Sequence, residues 1–306
     1  MVSIITINYN GWQDTCELIA SLKQFETYPY EVIVVDNASQ GDDVERIRSM
    51  YPEILVVCSG RNLGFAGGNN LGYDYAQGNY ILFLNNDMVL KQAMLRPMVE
   101  RLSDKRIGGV SPGIYYLQKP DRLQYYGYRD MTSITLKHTT ESFDISRKED
   151  FLHPKETEVL HGGAMMVRRD VINSVGKMTE VYFLFYEEFD WSRRMREAGY
   201  ILYYEPMSIV FHKESMSIPP ATPFREYYLS RSRVIYARRN GKGWRRLLSC
   251  CYLLFLVMPK KGMVFAKNKR MDLLRATFQG TCSGFCKSLY YKSNNSIYSK
   301  YLQTPC

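Results

Sequence analysis

The chain has 306 residues, of which 45% are hydrophobic and 14% aromatic, and it carries a formal net charge of +9. This composition excludes a globally disordered chain and suits one sizeable domain with an appendage, or two small domains. The seven cysteines have no zinc-site spacing, so a structural zinc is not expected. The apolar run behind Met1 is short and has no basic lead, which predicts a cytoplasmic rather than an exported protein.

The charge is divided unevenly along the chain. Residues 225–306 contain 17 lysines and arginines against 2 acidic residues, whereas residues 1–224 contain 23 against 29. We therefore expect an acidic globular part, 1–224, followed by a basic helical tail, 225–306. Pro219, Pro220 and Pro223 mark a hinge between the two parts.

The first ninety residues alternate apolar strands with helical stretches. Strands are predicted at Val2–Asn8, Glu31–Asp36, Ile54–Cys58 and Tyr80–Leu84, with helices at Trp12–Phe25, Asp42–Met50 and Phe65–Gln77 between them. This order predicts an α/β fold with an open, mostly parallel sheet and helices on both faces. The continuous apolar strands agree, because parallel strands are buried on both faces.

The pattern is looser between Ile114 and Pro154, where only short strands or loops are expected. A second ordered block follows, with strands at Glu158–Arg168, Tyr200–Tyr204 and Ile209–His212 and helices at Arg169–Val175, Glu187–Ala198 and Tyr227–Arg239. The globular part therefore divides into two halves, about 1–113 and about 114–224.

The basic tail contains an apolar run, Leu247–Met258, which is flanked by Arg245, Arg246, Lys260 and Lys261. Twelve residues of helix reach about 18 Å, against about 30 Å of membrane hydrocarbon. We therefore expect the run to lie in the interface of an anionic membrane, with a buried core helix as the alternative. Nucleic-acid binding is disfavoured, because the basic residues frame an apolar run instead of alternating with aromatic residues.

Polar residues follow three of the predicted strands. Asn8, Asp36 and the run Asn85 to Asp87 all lie at carboxyl ends, where open α/β sheets bind ligands. Asp36 can accept hydrogen bonds from a ribose or a base, or it simply occupies a turn. A carboxylate and amides at Asn85 to Asp87 suit Mg²⁺ or Mn²⁺ held together with a diphosphate, and a turn is again the alternative.

A dense Gly/Asn loop, Arg61 to Gly72, runs into a predicted helix. Such a loop allows a ligand to approach the backbone closely, and the start of the helix favours an anion. The spacing of Gly67, Gly68 and Gly72 does not match the dinucleotide fingerprint, which disfavours a Rossmann oxidoreductase.

An acidic cluster, Glu187, Glu188 and Asp190, follows the aromatic run Tyr182 to Tyr186. Carboxylates beside aromatic side chains have raised pKa values and suit general-base chemistry. The alternative is a solvated acidic helix start that the helix dipole stabilises. His212 ends the last predicted strand of the globular part, where it is either structural or part of the site.

Together these residues resemble the inverting glycosyltransferases of family two, which have the GT-A fold. The branch that they resemble most contains the rhamnosyltransferases that build O-antigen and capsular polysaccharides. The matching segments, in family order, are Thr6–Asn10, Val35–Ser39, Arg61–Gly72, Leu84–Asp87, Gly162–Arg169, Tyr186–Arg194 and Pro206–His212.

The resemblance assigns donor-binding roles in the first half of the globular part, which becomes the nucleotide-sugar half. Thr6, Asn8 and Asp36 hold the base and ribose of the donor. Gly67 and Asn69 line the nucleotide pocket, and Asn85 and Asn86 also bind the donor.

The resemblance also assigns the metal site and the base. Asn85, Asn86 and Asp87 occupy the family's DxD metal motif for Mn²⁺ or Mg²⁺, with Asn85 in place of the first Asp. His212 falls on a metal or diphosphate ligand. Glu188 falls on the catalytic base, where many relatives have Asp; Glu187 and Asp190 are rival candidates. The second half is thus the acceptor and base half.

The implied function is a metal-dependent, inverting sugar transfer in surface polysaccharide synthesis. The donor is dTDP-rhamnose or a UDP-sugar, and the acceptor is a saccharide, expected to be lipid-linked at the inner face of the cell membrane. Two alternatives stay open at this point. One is a nucleotide-sugar-binding protein without transferase activity, which the single carboxylate in the metal motif supports. The other is a nucleotidyltransferase, against which the acidic cluster and His212 weigh.

Overall fold

The structure is a computed structural model that describes residues 1–138, 151–213 and 221–289. Within those ranges the centre of the molecule is a ten-stranded sheet in the order β3-β2-β1-β4-β9-β6-β10-β5, with β7 paired to β6 and β8 to β10. The strands are β1 (Val2–Asn8), β2 (Tyr30–Asp36), β3 (Leu55–Cys58), β4 (Tyr80–Leu84), β5 (Met88–Val89), β6 (Ile107–Tyr116), β7 (Lys119–Tyr125), β8 (Lys155–Thr157), β9 (Ala164–Arg168) and β10 (Ile201–His212).

Helices cover both faces of this sheet, and the predicted α/β fold is confirmed. They are α1 (Trp12–Phe25), α2 (Asp43–Met50), α3 (Gly64–Tyr75), α4 (Leu95–Arg101), α5 (Arg169–Val175), α6 (Glu187–Glu197), α7 (Pro223–Asn240), α8 (Gly243–Tyr252), α9 (Met258–Lys267) and α10 (Met271–Cys286).

The sheet was predicted to be mostly parallel, and this holds for its first four strands. Strand β1 pairs in parallel with β2 and β4, and β2 pairs in parallel with β3. Orientations mix beyond them. Strand β9 is antiparallel to both β4 and β6, and β6 is parallel to β10. The carboxyl ends of β1, β2, β4, β6 and β10 consequently lie at one edge of the sheet.

Alternating side chains of β1 show how the two faces are filled. Ile4 is buried in the cluster that contains Leu18 of α1, whereas Ile5 is buried against Ala66 of α3 on the other face. A Cβ atom at Gly72 would lie 2.4 Å from Cγ2 of Ile5. Glycine is therefore needed where α3 crosses β1 closely.

Strand β6 was not predicted, and its end was assigned to the looser region after Ile114. Glycine and proline interrupt its sequence, IGGVSPGIYY, and these residues are normally depleted in strands. A Cβ atom at Gly109 would lie 2.6 Å from Cδ1 of Leu160, so close packing explains a glycine there. Two further predictions were only partly correct. The two strands predicted at Tyr200–Tyr204 and Ile209–His212 belong to one irregular strand, β10. The strand predicted at Glu158–Arg168 is shorter in the structure, where β9 covers only Ala164–Arg168.

The tail packs on the globular part through α7, and α10 packs on α7. Cβ atoms at Gly280 and Gly284 would lie 2.3 Å from the carbonyl oxygen of Tyr227 and 2.7 Å from that of Arg231. The division near residue 224 stays a prediction, and the hinge residues Pro219 and Pro220 lie outside the described ranges.

The apolar run of the tail belongs to a longer helix than expected. Helix α8, a π-helical turn at Leu253–Val257 and α9 form one helix, Gly243–Lys267, of 25 residues. It spans about 37 Å at 1.5 Å per residue, so the argument that it is too short to cross a membrane was wrong. By length and composition alone this helix passes for a membrane span. Only 11% of its apolar window is buried, which does not support the core-helix alternative.

Candidate active site

The donor side of the site is built around Asn8, at the end of β1. Its side-chain amide donates to Oδ1 of Asp36 at 2.9 Å and to Oδ1 of Asp43 at 2.9 Å, and its oxygen accepts from Thr15 at 2.8 Å. Asn8 and Thr6 are both completely buried. Asp36, which pairs with Asn8 in the sheet, is 4% exposed.

Asp43 is a partner of Asn8 that sequence reasoning missed. Its Oδ1 also accepts from the backbone N–H groups of Gly11 at 2.8 Å and Trp12 at 3.1 Å, so it holds the start of α1 against β1. The only sequence signal was its position at the start of α2, where an aspartate is common for helix capping. Its contact with Asn8, 35 residues away, depends on the fold.

Gly67 and Asn69 lie inside α3 rather than in the loop before it. A Cβ atom at Gly67 would lie 2.8 Å from Cβ of Leu63, and the Asn69 amide donates to the carbonyl oxygen of Phe65 at 3.1 Å. Both residues are buried. The structure thus shows a packing role for them, and their predicted contact with a nucleotide stays a prediction.

Asn37 fixes the loop that precedes α3. Its oxygen accepts from the backbone N–H of Leu63 at 2.8 Å, and its amide donates to Asn62 at 3.1 Å. Gly64 then adopts a φ of +72°, and the carbonyl oxygen of Phe183 accepts from the next backbone N–H, that of Phe65, at 2.8 Å. The loop therefore joins the nucleotide half to the segment that precedes the acidic cluster.

The metal motif forms a tight turn between β4 and β5. The Asn85 N–H donates to the carbonyl oxygen of Gly163 at 2.9 Å, and the Asn86 amide donates to Thr15 at 3.1 Å. Oδ2 of Asp87 lies 3.1 Å from Nε2 of His212. The structure thus brings together the two predicted metal ligands, which are 125 residues apart.

The pair Asp87 and His212 fits a divalent cation. Nδ1 of His212 lies 2.8 Å from Oε1 of Gln124, an oxygen that can accept from Nδ1–H, and Nε2 lies 3.1 Å from Oδ2 of Asp87. Metal-binding histidines commonly donate their second N–H to a carbonyl in this way. Two protein ligands suit Mg²⁺ or Mn²⁺, which take their other ligands from phosphates and water. Within the described residues no group of three or more His, Cys, Asp or Glu could hold a metal unaided.

His161 is a second residue that sequence reasoning missed, one position before a matching segment. Its Nδ1 accepts from the backbone N–H of Gly163 at 3.0 Å, so the ring is fixed. Burial and then the nearby His212 lower the pKa of His161 to about 3, while Asp87 acts in the opposite direction. A neutral imidazole therefore lies beside the candidate metal pair.

The acidic cluster opens helix α6, and its members differ in environment. Burial raises the pKa of Glu188 to about 7, and its side chain keeps partial solvent contact. Glu187 is 3% exposed, and burial and then Glu188 raise its pKa well above the ordinary range. Burial therefore favours the protonated form of Glu187, whereas Glu188 can accept a proton near pH 7.

Asp190 is fully buried among hydrogen-bond donors, which assigns it a structural role. Its carboxylate accepts from Tyr182 at 3.0 Å, Arg194 at 3.0 Å, Arg239 at 2.8 Å and Asn240 at 3.0 Å. Such a carboxylate has no surface on which to receive an acceptor hydroxyl. Two of its donors come from α7, so the tail helps to fix the helix that bears the acidic cluster.

Residues 161–163 connect the two chemical groups of the site. His161 is close enough to Asp87 and His212 for their charges to shift its pKa. A Cβ atom at Gly162 would lie 3.7 Å from Cβ and Cδ of Glu188. Since Gly163 accepts from Asn85, one short segment contacts the metal motif and the candidate base together.

Comparisons with known proteins identify relatives. Residues 3–176, more than half of the chain, match the family described as Glycosyl transferase family 2. The N-acetylglucosaminyl-diphospho-decaprenol L-rhamnosyltransferase of Mycobacterium tuberculosis is 23% identical over 270 residues, covering 80% of this chain and 87% of that protein. The dTDP-rhamnosyl transferase RfbF of Shigella flexneri is 21% identical over 278 residues, covering 87% and 89%.

Solved structures agree on the fold. A mannosyltransferase from Pyrobaculum calidifontis, in complex with GDP-Man and Mn²⁺, superposes with a TM-score of 0.55 at 15% identity, covering 98% of this chain and 78% of that one. GalNAc-T7 with UDP, GalNAc and Mn²⁺ superposes with a TM-score of 0.60 at 17% identity, and this chain spans 50% of it. The predicted GT-A fold is thereby confirmed.

Proposed function

The chain belongs to glycosyl transferase family 2 and is a glycosyltransferase of the rhamnosyltransferase-like branch; we propose that it moves L-rhamnose from dTDP-rhamnose to a saccharide acceptor with inversion. Two relatives that match over most of their length are rhamnosyltransferases, which favours rhamnose over the hexose of a UDP-sugar. The acceptor is a lipid-linked saccharide, as the name of the mycobacterial relative indicates for that protein. The product belongs to surface polysaccharide synthesis.

The observation that carries this proposal is the joint placement of Glu188 and the Asp87–His212 pair around residues 161–163. A displacement needs a base for the incoming hydroxyl and a stabilised leaving group on opposite sides of one carbon. The contacts of residues 161–163 with both groups support such an arrangement. A protein that only binds nucleotide-sugars needs no carboxylate poised to accept a proton near pH 7.

Each residue has a role in the proposed reaction. Asn8, Asp36 and Asp43 form the base of the nucleotide pocket, and Asp87 and His212 would hold a divalent cation with the donor's diphosphate. When bound, that cation supplies positive charge that offsets the charge on the departing diphosphate. Oε of Glu188 takes the proton of the acceptor hydroxyl as its oxygen attacks the anomeric carbon, and one attack inverts that carbon.

Donor choice is tested by a thermal-shift screen. We expect dTDP-rhamnose with Mn²⁺ to raise the melting temperature more than UDP-glucose, GDP-mannose or Mn²⁺ alone, because a ligand that binds only the folded state stabilises it. A larger shift with a UDP-sugar would replace the donor in this proposal. Equal shifts with ATP and with nucleotide-sugars would favour a nucleotidyltransferase instead.

The helix Gly243–Lys267 supports a membrane partner. It contains five lysines and arginines and no acidic residue. Leu253 is buried against α7, whereas Leu247, Phe255 and Leu256 are 65%, 68% and 61% exposed. An exposed apolar face with basic flanks suits the interface of an anionic membrane. We therefore place the enzyme peripherally at the cytoplasmic face of the cell membrane, with the helix kept on α7 by Leu253.

A triple variant, Leu247→Ser/Phe255→Ser/Leu256→Ser, tests this placement. We expect at least tenfold weaker co-sedimentation with phosphatidylglycerol vesicles, because each lost apolar side chain removes about 1.5–3 kcal/mol of burial. The matched control, Met50→Ser/Leu152→Ser/Met207→Ser, changes exposed apolar residues elsewhere and should bind as the wild type does.

The mode of attachment is tested by washing membranes from cells that express the full chain. Alkaline carbonate should release an interfacial protein, whereas a spanning helix resists it. Release by detergent alone would contradict the peripheral placement, as would unchanged vesicle binding by the triple variant.

A further inference from the structure

Residues 181–186, the strained segment, lead into the acidic cluster with an unusual backbone. Phe183, Phe185 and Tyr186 have φ values of +70°, +66° and +77°. Aromatic residues rarely adopt this left-handed region. Such conformations persist only where the surrounding structure holds them, and they are found mainly at functional sites. The contacts that hold the strained segment are therefore of functional interest.

Helix α7 of the tail holds the strained segment from one side. The guanidinium of Arg231 donates to the carbonyl oxygens of Tyr182 at 2.6 Å and Val181 at 3.1 Å. The hydroxyl of Ser232 donates to the carbonyl oxygen of Leu184 at 2.8 Å. Both donor residues are buried, with Arg231 7% exposed and Ser232 completely enclosed. The backbone of the strained segment is thus bonded to side chains of α7, in place of a helix or strand of its own.

The other side of the strained segment contacts the start of α3. The carbonyl oxygen of Phe183 accepts from the Phe65 N–H at 2.8 Å, and a Cβ atom at Gly64 would lie 2.2 Å from the same oxygen. The ring of Phe183 stacks on that of Tyr228, a residue of α7, with 4.8 Å between the ring centroids. The strained segment is therefore fixed between α7 and the nucleotide half.

The candidate base follows the strained segment directly. Tyr186 precedes α6 in the left-handed conformation, and Glu188 is the second residue of that helix. A shift of the strained segment would move the start of α6 and Glu188 with it. A misplacement of about 1 Å can lower a rate by about 100-fold. The donor side has supports of its own, because Asn37 holds the loop before α3 and the metal pair lies on other elements.

We propose that Arg231 and Ser232 are positioning residues of the transfer reaction, which hold the strained segment in its left-handed conformation and thereby place Glu188 relative to the donor. This inference rests on the proposed function and adds two residues of the tail to it. The residues that match the family end at 176, so α7 lies outside that match. The tail then contributes to turnover as well as to the membrane contact.

The test compares Arg231→Ala, Arg231→Lys and Ser232→Ala with the wild type, each well below its melting temperature. We expect Arg231→Ala to lower kcat by about tenfold or more, while the Kd of dTDP with Mn²⁺ changes by less than about threefold. Lysine keeps the charge but not the planar fork, so Arg231→Lys should recover part of the loss. Ser232→Ala should lower kcat less than Arg231→Ala does. A residue that only stabilised the fold would lower the melting temperature and leave kcat unchanged.

A second readout does not depend on sugar transfer. The Phe65 N–H donates to the strained segment, so its hydrogen exchange should be about tenfold faster or more in Arg231→Ala, where the segment is released. The control is Arg238→Ala. Arg238 is also on α7 and donates to two carbonyl oxygens, but these belong to Gly284 and Lys287 of the tail. That variant should leave both kcat and the exchange of Phe65 as they are in the wild type.

Unchanged kcat in folded Arg231→Ala would overturn the proposal, and so would an equal loss of kcat in Arg238→Ala. A loss of dTDP affinity that matches the loss of kcat would overturn it as well, because the contact would then serve the donor pocket. If Arg231→Ala does not fold, Arg231→Lys and Ser232→Ala decide by the same readouts. If the wild type transfers no sugar while the exchange of Phe65 still depends on Arg231, the proposed function fails and only the contact between α7 and the strained segment stands.

Discussion

Replacing Glu188 with Gln is expected to lower kcat by about 100-fold to 10,000-fold, the usual contribution of a general base. Glutamine keeps the size of the side chain and cannot take a proton, so donor binding should stay unchanged. Burial raises the pKa of Glu188 to about 7, so the base is charged above that pH. Wild-type kcat/KM should therefore rise with pH through about 7 and level off, and this limb should be absent from the residual activity of the variant.

Two neighbouring substitutions serve as controls. Glu187→Gln should keep most of the turnover, because Glu187 is more deeply buried than Glu188 and its raised pKa favours the protonated form. Asp190→Asn should lower the free energy of unfolding by about 2 kcal/mol, since hydrogen bonds to a charged group are worth about 1.5–3 kcal/mol. Loss of turnover in Glu187→Gln with near-normal turnover in Glu188→Gln would transfer the role of base to Glu187.

Replacing Asp87 with Ala is expected to abolish the metal dependence of donor binding and to weaken binding at saturating Mn²⁺ by at least 100-fold. Asp87 is the sole carboxylate of the motif, and His212 alone is a poor site for a hard cation. The fold should survive, because the change lies in a turn at the edge of the sheet. Calorimetric titration of dTDP with and without Mn²⁺ measures the effect.

Asp74→Ala is the matched control for this change. Asp74 is exposed on α3, where it pairs with Lys177, and surface pairs of this kind contribute little. That variant should bind dTDP with the same affinity and metal dependence as the wild type. If dTDP binding by Asp87→Ala depends on Mn²⁺ as strongly as binding by the wild type does, Asp87 is not a metal ligand.

The nucleotide half was predictable because its signals are local. Val2–Asn8 and Trp12–Phe25 have the bounds that the apolar pattern gave them, and Asp36 ends β2 as expected. Strand β6 was missed because its glycines and proline indicate turns in isolation. Only the packing of Leu160 against Gly109, which are 51 residues apart, explains why a glycine suits a buried strand.

The sequence identified most of the residues of the candidate site, but it did not predict how those residues contact one another. The family resemblance favoured Glu188 as the base, and Glu187 and Asp190 stayed as rivals because the residues alone did not separate the three carboxylates. Asp190 differs from Glu188 because it accepts a hydrogen bond from Arg239, which is 49 residues away on another helix. A local sequence pattern cannot predict a donor at that distance. His161 and Asp43 were missed for the same reason, because their partners are brought to them by the sheet.

The stereochemistry and metal dependence of transfer test the central claim most directly. The full chain would be incubated with dTDP-rhamnose and a saccharide diphosphate acceptor, in Mn²⁺ or in EDTA, and the product analysed by NMR. The account predicts a rhamnosylated acceptor in Mn²⁺ only, with the anomeric configuration inverted relative to the donor. A product of retained configuration, equal transfer in EDTA, or transfer of the nucleotide instead of the sugar would contradict it.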